Sequence, residues 1–142
     1  MDIATAIAFA RDLRQSVLVT TRNDGRPQLS NVLHGWDDDA GFFRVSMTAD
    51  RAKYKNLAKR PWGGLHVTSD DFWAYVVLEG DVELSPVVTD PNGPDADEHV
   101  THYRALVGEH RDWDEYRASL VTEKRSFARL SPTYAYGMLK PG

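Results

Sequence analysis

The feature that most limits the possible folds is the way strand-like runs follow one another. SVLVTTR (16–22) is rich in β-branched residues, and PQLSNVLHGW (27–36) follows after NDGR, whose Asn23, Asp24 and Gly25 tolerate positive φ. FFRVSMT (42–48) comes next, after the turn DDDAG (37–41). Parallel neighbours need a crossover of about a dozen residues or more, whereas antiparallel neighbours need only a tight turn. WGGLHVTSD (62–70) and FWAYVVLEGDVEL (72–84) continue the strands, and RSFARLSP and TYAYGML close the chain as one or two more. In 72–84, Trp73, Tyr75 and Val77 alternate with Ala74, Val76 and Leu78, so both faces are apolar and both are expected to be covered, one by another subunit.

Helices interrupt this series without alternating regularly with it, which argues against a doubly wound parallel sheet. Residues 2–14 carry Ile3, Ile7, Ala10 and Leu13 at helical spacing behind a cap at Asp2. After the loop SPVVTDPNGP (85–94), Asp95 and Glu98 stand at capping-box spacing, as do Asp112 and Glu115. Val100, Tyr103, Leu106 and Val107 make one apolar stripe, and Trp113, Tyr116 and Leu120 the next. The expectation is a mainly β (α+β) fold, an antiparallel sheet curled into a barrel with helices at its ends, in one domain spanning 1–142.

Composition removes whole classes of function. The net charge is −4 over 142 residues, with no basic face, which excludes a general nucleic-acid binder. There is no cysteine, so disulfides, zinc–thiolate sites and thiol catalysis are excluded. The opening MDIATAIAFARDLR is too short and too charged for a signal or membrane segment, and a cytoplasmic protein with no membrane partner is expected.

One stretch contradicts ordinary helix chemistry. TADRAKYKNL (48–57) reads as a helix start with Thr48 or Asp50 as cap, yet Arg51, Lys53 and Lys55 crowd its first turns. The helix dipole is already positive there, and each misplaced cation costs about 0.3–1 kcal/mol. Such a run is ordinarily a solvated surface. Read functionally, it is an anion site, because free N–H groups at a helix start, a guanidinium and an ammonium all favour phosphate. No glycine-rich GK[ST] element makes it a Walker loop.

A second stretch, GRPQLSNV (25–32), sets Gln28 and Ser30 on one strand face and Asn31 on the other. Buried amides need partners, which are either local backbone or a flat polar heterocycle. His99 and His102 share a helix face without an obvious acidic third ligand, so no metal site is expected, and no GxSxG element points to a hydrolase.

Together, DGRPQLSNV, RAKxxNL after the third strand, and GEHRDWDEYR in the late helices resemble a known family over nearly the whole chain. It is the actinobacterial flavin and deazaflavin oxidoreductases, in the superfamily of pyridoxamine 5'-phosphate oxidase, with the branch that binds coenzyme F420 most similar. The resemblance implies an antiparallel split β-barrel of the FMN-binding type and a homodimer with cofactor sites at the subunit interface. It implies that Arg51 and Lys53, with the N–H of Ala52, clamp the cofactor phosphate. Gln28, Ser30 and Asn31 would line the strand beside the ring, and Ser46 and Thr48 would reach the ribityl chain or phosphate. Trp73, Tyr75, Lys124 and Arg125 would close the site from the other subunit. Asn56 belongs to the same motif, and Lys55, Lys59 and Arg60 would meet the acidic tail of the deazaflavin.

The implied activity is hydride transfer from reduced F420 to a small unsaturated or heteroaromatic acceptor, with no catalytic residue assigned. The alternatives are an FMN-dependent oxidoreductase of the same superfamily and a cofactor carrier without turnover. Pyridoxamine phosphate oxidase activity itself is disfavoured, because no arginine follows Arg129.

Overall fold

The computed structural model describes residues 1–140. Strand β1 (Gln15–Thr21) pairs antiparallel with β2 (Pro27–Leu33), and β3 (Gly35–Asp37) pairs with β4 (Phe42–Thr48). β5 (Trp62–Thr68), β6 (Tyr75–Leu84) and β7 (Arg125–Met138) complete one seven-stranded antiparallel sheet in the order β2-β1-β5-β6-β7-β4-β3. The sheet curls until β2 comes back beside β4, giving a split barrel. The helices are α1 (Ile3–Ala10), α2 (Ala52–Lys59), α3 (Pro94–Leu106) and α4 (Trp113–Thr122).

The expected strand 27–36 divides in two. At His34 the chain leaves one edge of the sheet and restarts as β3 at the other. A buried polar knot fixes this crossing: the His34 N–H donates to the Arg14 carbonyl, and its ring bonds Ser16 Oγ and the Ala10 carbonyl, both at 2.8 Å. Burial holds the imidazole below its ordinary pKa.

Phe43, Val45, Met47, Leu18, Leu65, Val67, Val76, Leu78 and Leu130 fill the barrel. Fully burying such a side chain contributes about 1.5–3 kcal/mol. Ala6 and Ala10 of α1 close onto the same core, behind the Asp2 cap that accepts from the Ala4 N–H. α1 ends at Ala10, short of the expected 14.

Three further expectations are corrected. The cap of α2 is Arg51, without a side-chain bond, because Thr48 donates its hydroxyl to Asp50 at 2.6 Å. The cap of α3 lies two residues earlier than expected, at Gly93 instead of Asp95, with Pro94 at the first helical position and Glu98 taken by two arginines. β6 begins only at Tyr75, since 69–74 form a turn in which Phe72 has φ 77° and Trp73 is exposed. The closing segment is one strand, β7, and at α4 the Asp112 carboxylate accepts from the Glu115 N–H as its spacing predicts.

Candidate functional site

Alternation along β4 sends Phe43, Val45 and Met47 into the core and leaves Arg44, Ser46 and Thr48 on the opposite face. In register on β7, Arg44 lies opposite Arg129, Ser46 opposite Phe127 and Thr48 opposite Arg125. Helix α3 lies across this face. Glu98 receives Arg44 Nε at 2.6 Å and Arg129 Nη2 at 2.5 Å, while Asp37 and Glu83 hold the same arginines at 2.6 and 2.9 Å. The two guanidiniums keep the Glu98 carboxyl below its usual range despite burial. One step along, His99 stacks on Phe127 with ring centres 3.8 Å apart, and Tyr116 of α4 donates to the His99 carbonyl.

The far end of the face has a different electrostatic character. Lys53, on the first turn of α2, is half-buried, and burial, then Arg51, then Arg125 pull its pKa below the ordinary lysine value. Among the described residues, no carboxylate lies within salt-bridge distance of Arg51 or Lys53, and Arg125 meets only Glu123 at 3.3 Å. Three cations are thus gathered at the uncapped start of a helix, where backbone N–H groups are also free.

A cleft of about 360 Å³ opens from this end, within the size range of small-molecule sites. Asn31, Val32 and Leu33 at the end of β2 form one wall, and Ser46, Lys53 and Arg125 the other. His102, Tyr103 and Leu106 of α3 and Tyr116 and Leu120 of α4 roof it, with Glu123 at its rim. The cleft therefore offers cations at one end, an amide and a hydroxyl at its sides and an aromatic roof. That suits a flat ring carrying an anionic group.

Asn31, Ser46, Lys53 and Arg125 from the sequence reading converge on this cleft, with Arg51 and Ala52 exposed beside it. Arg125, which the resemblance brings from a partner, stands in the cleft of its own chain. Gln28 and Ser30 are half-buried on the other face of β2 and do not line the cleft, and Thr48 bonds Asp50 at the end of β4. Lys55 and Lys59 are exposed on α2. Asn56 is buried and donates to Thr20 Oγ1, and Arg60 is tied to the Thr21 carbonyl and Asn23, so both serve the scaffold. Trp73 and Tyr75 lie outside the cleft, Tyr75 edge-on to His66, and Lys124 is exposed with φ 54°.

Sequence reasoning missed the roof. Tyr103, Leu106, Tyr116 and Leu120 were visible as apolar stripes, but a stripe shows only that a helix face is covered, not that it covers a cavity.

No family model matches the chain. Among solved structures, an F420 reductase is similar at 24% identity and TM-score 0.69, covering 92% of this chain and 94% of that one. A pyridoxamine 5'-phosphate oxidase-related, FMN-binding protein from Nostoc punctiforme is similar at 17% identity and TM-score 0.65, covering 96% and 82%. HutZ, the haem storage protein from Vibrio cholerae, matches at 15% identity and TM-score 0.68, covering 97% and 96%. The fold is therefore that of the pyridoxamine 5'-phosphate oxidase-like split barrels, a fold that carries more than one kind of cofactor.

Proposed function

We propose that the chain is a reductase that uses reduced coenzyme F420 to transfer a hydride to a small unsaturated or heteroaromatic acceptor. The observation that carries this is the half-buried Lys53, crowded by Arg51 and Arg125, with no carboxylate within salt-bridge distance among the described residues. Like charges gathered at an uncapped helix start favour an anion between them, and here it is supplied by a ligand phosphate. Arg51, Lys53 and Arg125 would hold that group, with Ser46 and Asn31 bonding the polar edge of the body. Bound there, the deazaflavin supplies a hydride.

The protein's own part is position and electrostatics. The cations fix one end of the ligand, and the roof of Tyr103, Leu106, Tyr116 and Leu120 excludes water from its face. Exposed Lys55 and Lys59 suit an acidic tail running along α2, whereas Arg60 is already engaged.

A homodimer is part of the proposal. Strand registers set Leu29, Val19, Gly64, Glu79 and Tyr134 in one row, and Asn31, Val17, His66, Val77 and Tyr136 in the next. These rows form one sheet face, on which Leu29, Tyr134 and Tyr136 are exposed. Exposed Leu29, Tyr134 and Tyr136 are the apolar surface on which a second copy would seat, and Asn31 joins that face to the cleft.

The test is a parallel fluorescence titration of purified protein with F420 and with FMN, with sedimentation of the same samples. Preference for F420, followed by acceptor reduction with F420H2, is the expected result. Preference for FMN moves the protein to flavin chemistry, and tight F420 binding without turnover makes it a carrier. Binding of neither returns the cations to a plain surface role.

A further inference from the structure

A second hollow lies on the other side of α3. Asp12 and Arg14 of the α1–β1 connection, Gly35 and Asp38 near β3, and Thr101 line it, and Asp12, Asp38 and Thr101 are solvent-exposed. His102 and Leu106 are the residues common to this hollow and the cleft. Of the five histidines, His102 alone borders both spaces. Its Nδ1–Cε1 edge lies against Gly35, where an added Cβ would stand 3.3 Å from Nδ1, so the absence of a side chain at 35 makes room for the ring. Phe127 meets it edge-on at 4.9 Å.

The other buried histidines are arranged differently. His34 has both ring nitrogens bonded within the protein. His99 is sealed off at 1% exposure, with neither ring nitrogen partnered. His102 is held neutral at ordinary pH, its pKa pushed down to about 4 by burial and then by Arg44, and no protein group hydrogen-bonds its ring among the described residues. A neutral imidazole carries a donor on one nitrogen and an acceptor on the other. Set between two spaces, it can pass a proton through by giving one up on one side while taking one on the other.

We propose that His102 is the proton carrier of the cleft, moving protons inward from the outer hollow to the bound acceptor. This rests on the reductase reading. In that reaction the hydride from the reduced cofactor forms a new C–H bond at one atom of the acceptor double bond, and the cofactor is oxidised. The broken π pair moves to the other atom, which takes a proton from the ring N–H of His102 as the second ring nitrogen accepts one from water in the hollow. One hydride and one proton are added, and the imidazole ends as its other tautomer. That tautomer resets through solvent.

Three measurements test it. In the unmodified, cofactor-free protein labelled with nitrogen-15 histidine, the His102 ring N–H exchanges with water faster than those of His34 and His99; equal protection overturns the carrier role whether or not the protein is a reductase. With saturating F420H2 and 2-cyclohexenone as probe acceptor, His102→Phe lowers kcat by about 10²–10⁴-fold, and added imidazole restores part of the rate. An unchanged kcat, or a loss that imidazole does not relieve, overturns the proposal. Gly35→Val, which obstructs the ring only from the hollow side, lowers kcat and leaves F420 binding intact; full activity in that variant overturns the inward route. If no cofactor supports turnover in the wild type, the reductase reading fails and the exchange measurement still decides the carrier.

Discussion

The two ends of the β4–β7 face hold the same kind of side chain in opposite states. At one end, Arg44 and Arg129 close on Glu98, with Asp37 and Glu83 behind them. At the other, Arg51, Lys53 and Arg125 are gathered together, and burial first, then Arg51 and Arg125, hold Lys53 below the ordinary lysine pKa. Guanidiniums satisfied within the chain fasten a helix to a sheet. Arg51 and Lys53, which meet no carboxylate among the described residues, stand at a helix start where an outside anion would be favoured. The difference separates scaffold from site more sharply than residue type does.

The strongest way to break the contrast is to remove the centre of the paired end. Glu98→Ala leaves two half-buried guanidiniums with Asp37 and Glu83 alone and is expected to lower stability in urea by about 3–5 kcal/mol, on the scale of a broken buried pair. A loss below about 1 kcal/mol, as at surface pairs, would erase the distinction between the ends. The matching experiment at the unpaired end has the opposite signature. Replacing Arg51 and Lys53 together with Ala is expected to weaken binding of the phosphate-bearing cofactor by about 2–5 kcal/mol. Cofactor-free stability should stay level or rise by a few tenths, since roughly 0.3–1 kcal/mol of dipole opposition per cation is relieved. Unchanged affinity by calorimetry would refute the anion assignment.

A pH series sharpens what lies between the ends. His99 and His102 are pushed down to about 3 and about 4 in the folded chain, from an ordinary histidine value of 6.5, with burial the leading cause for both. The unfolded chain therefore binds protons that the folded chain does not. Stability is full above pH 6.5 and is lost as pH falls towards 4, by about 1.4 kcal/mol per unit for each histidine. His99→Phe keeps the ring stack on Phe127 and should remove about half of that slope in acid denaturation. An unaltered slope would mean that His99 is charged or solvated in the fold.

How much of this was legible in the sequence depended on the range of the interaction. The strands and their antiparallel pairing followed from short turns. Arg51 and Lys53 were conspicuous because they break a local rule, and local rules are visible in a string of letters. Arg125 belongs with them only through the register that sets it opposite Thr48, a pairing no spacing announces. Glu98 stood at capping-box distance from Asp95, yet two arginines from distant strands outcompeted a single backbone N–H. The break at His34 was invisible for the same reason: 27–36 alternates like one strand, and what divides it is a knot with Ser16 and Ala10.

Helix α3 is fastened at both ends. Glu98 grips the sheet near its start, and Arg14 donates to the Leu106 carbonyl at its finish. The cleft runs beneath the span between. A beam pinned in this way does not swing open, so the proposed ligand would be threaded in rather than received by a closing lid. Exposed Arg51 meets its charged end ahead of half-buried Lys53, and long-range attraction draws it along that gradient. The rate of capture should then fall steeply as salt is added, while the rate of escape, set by contacts already made, stays nearly constant.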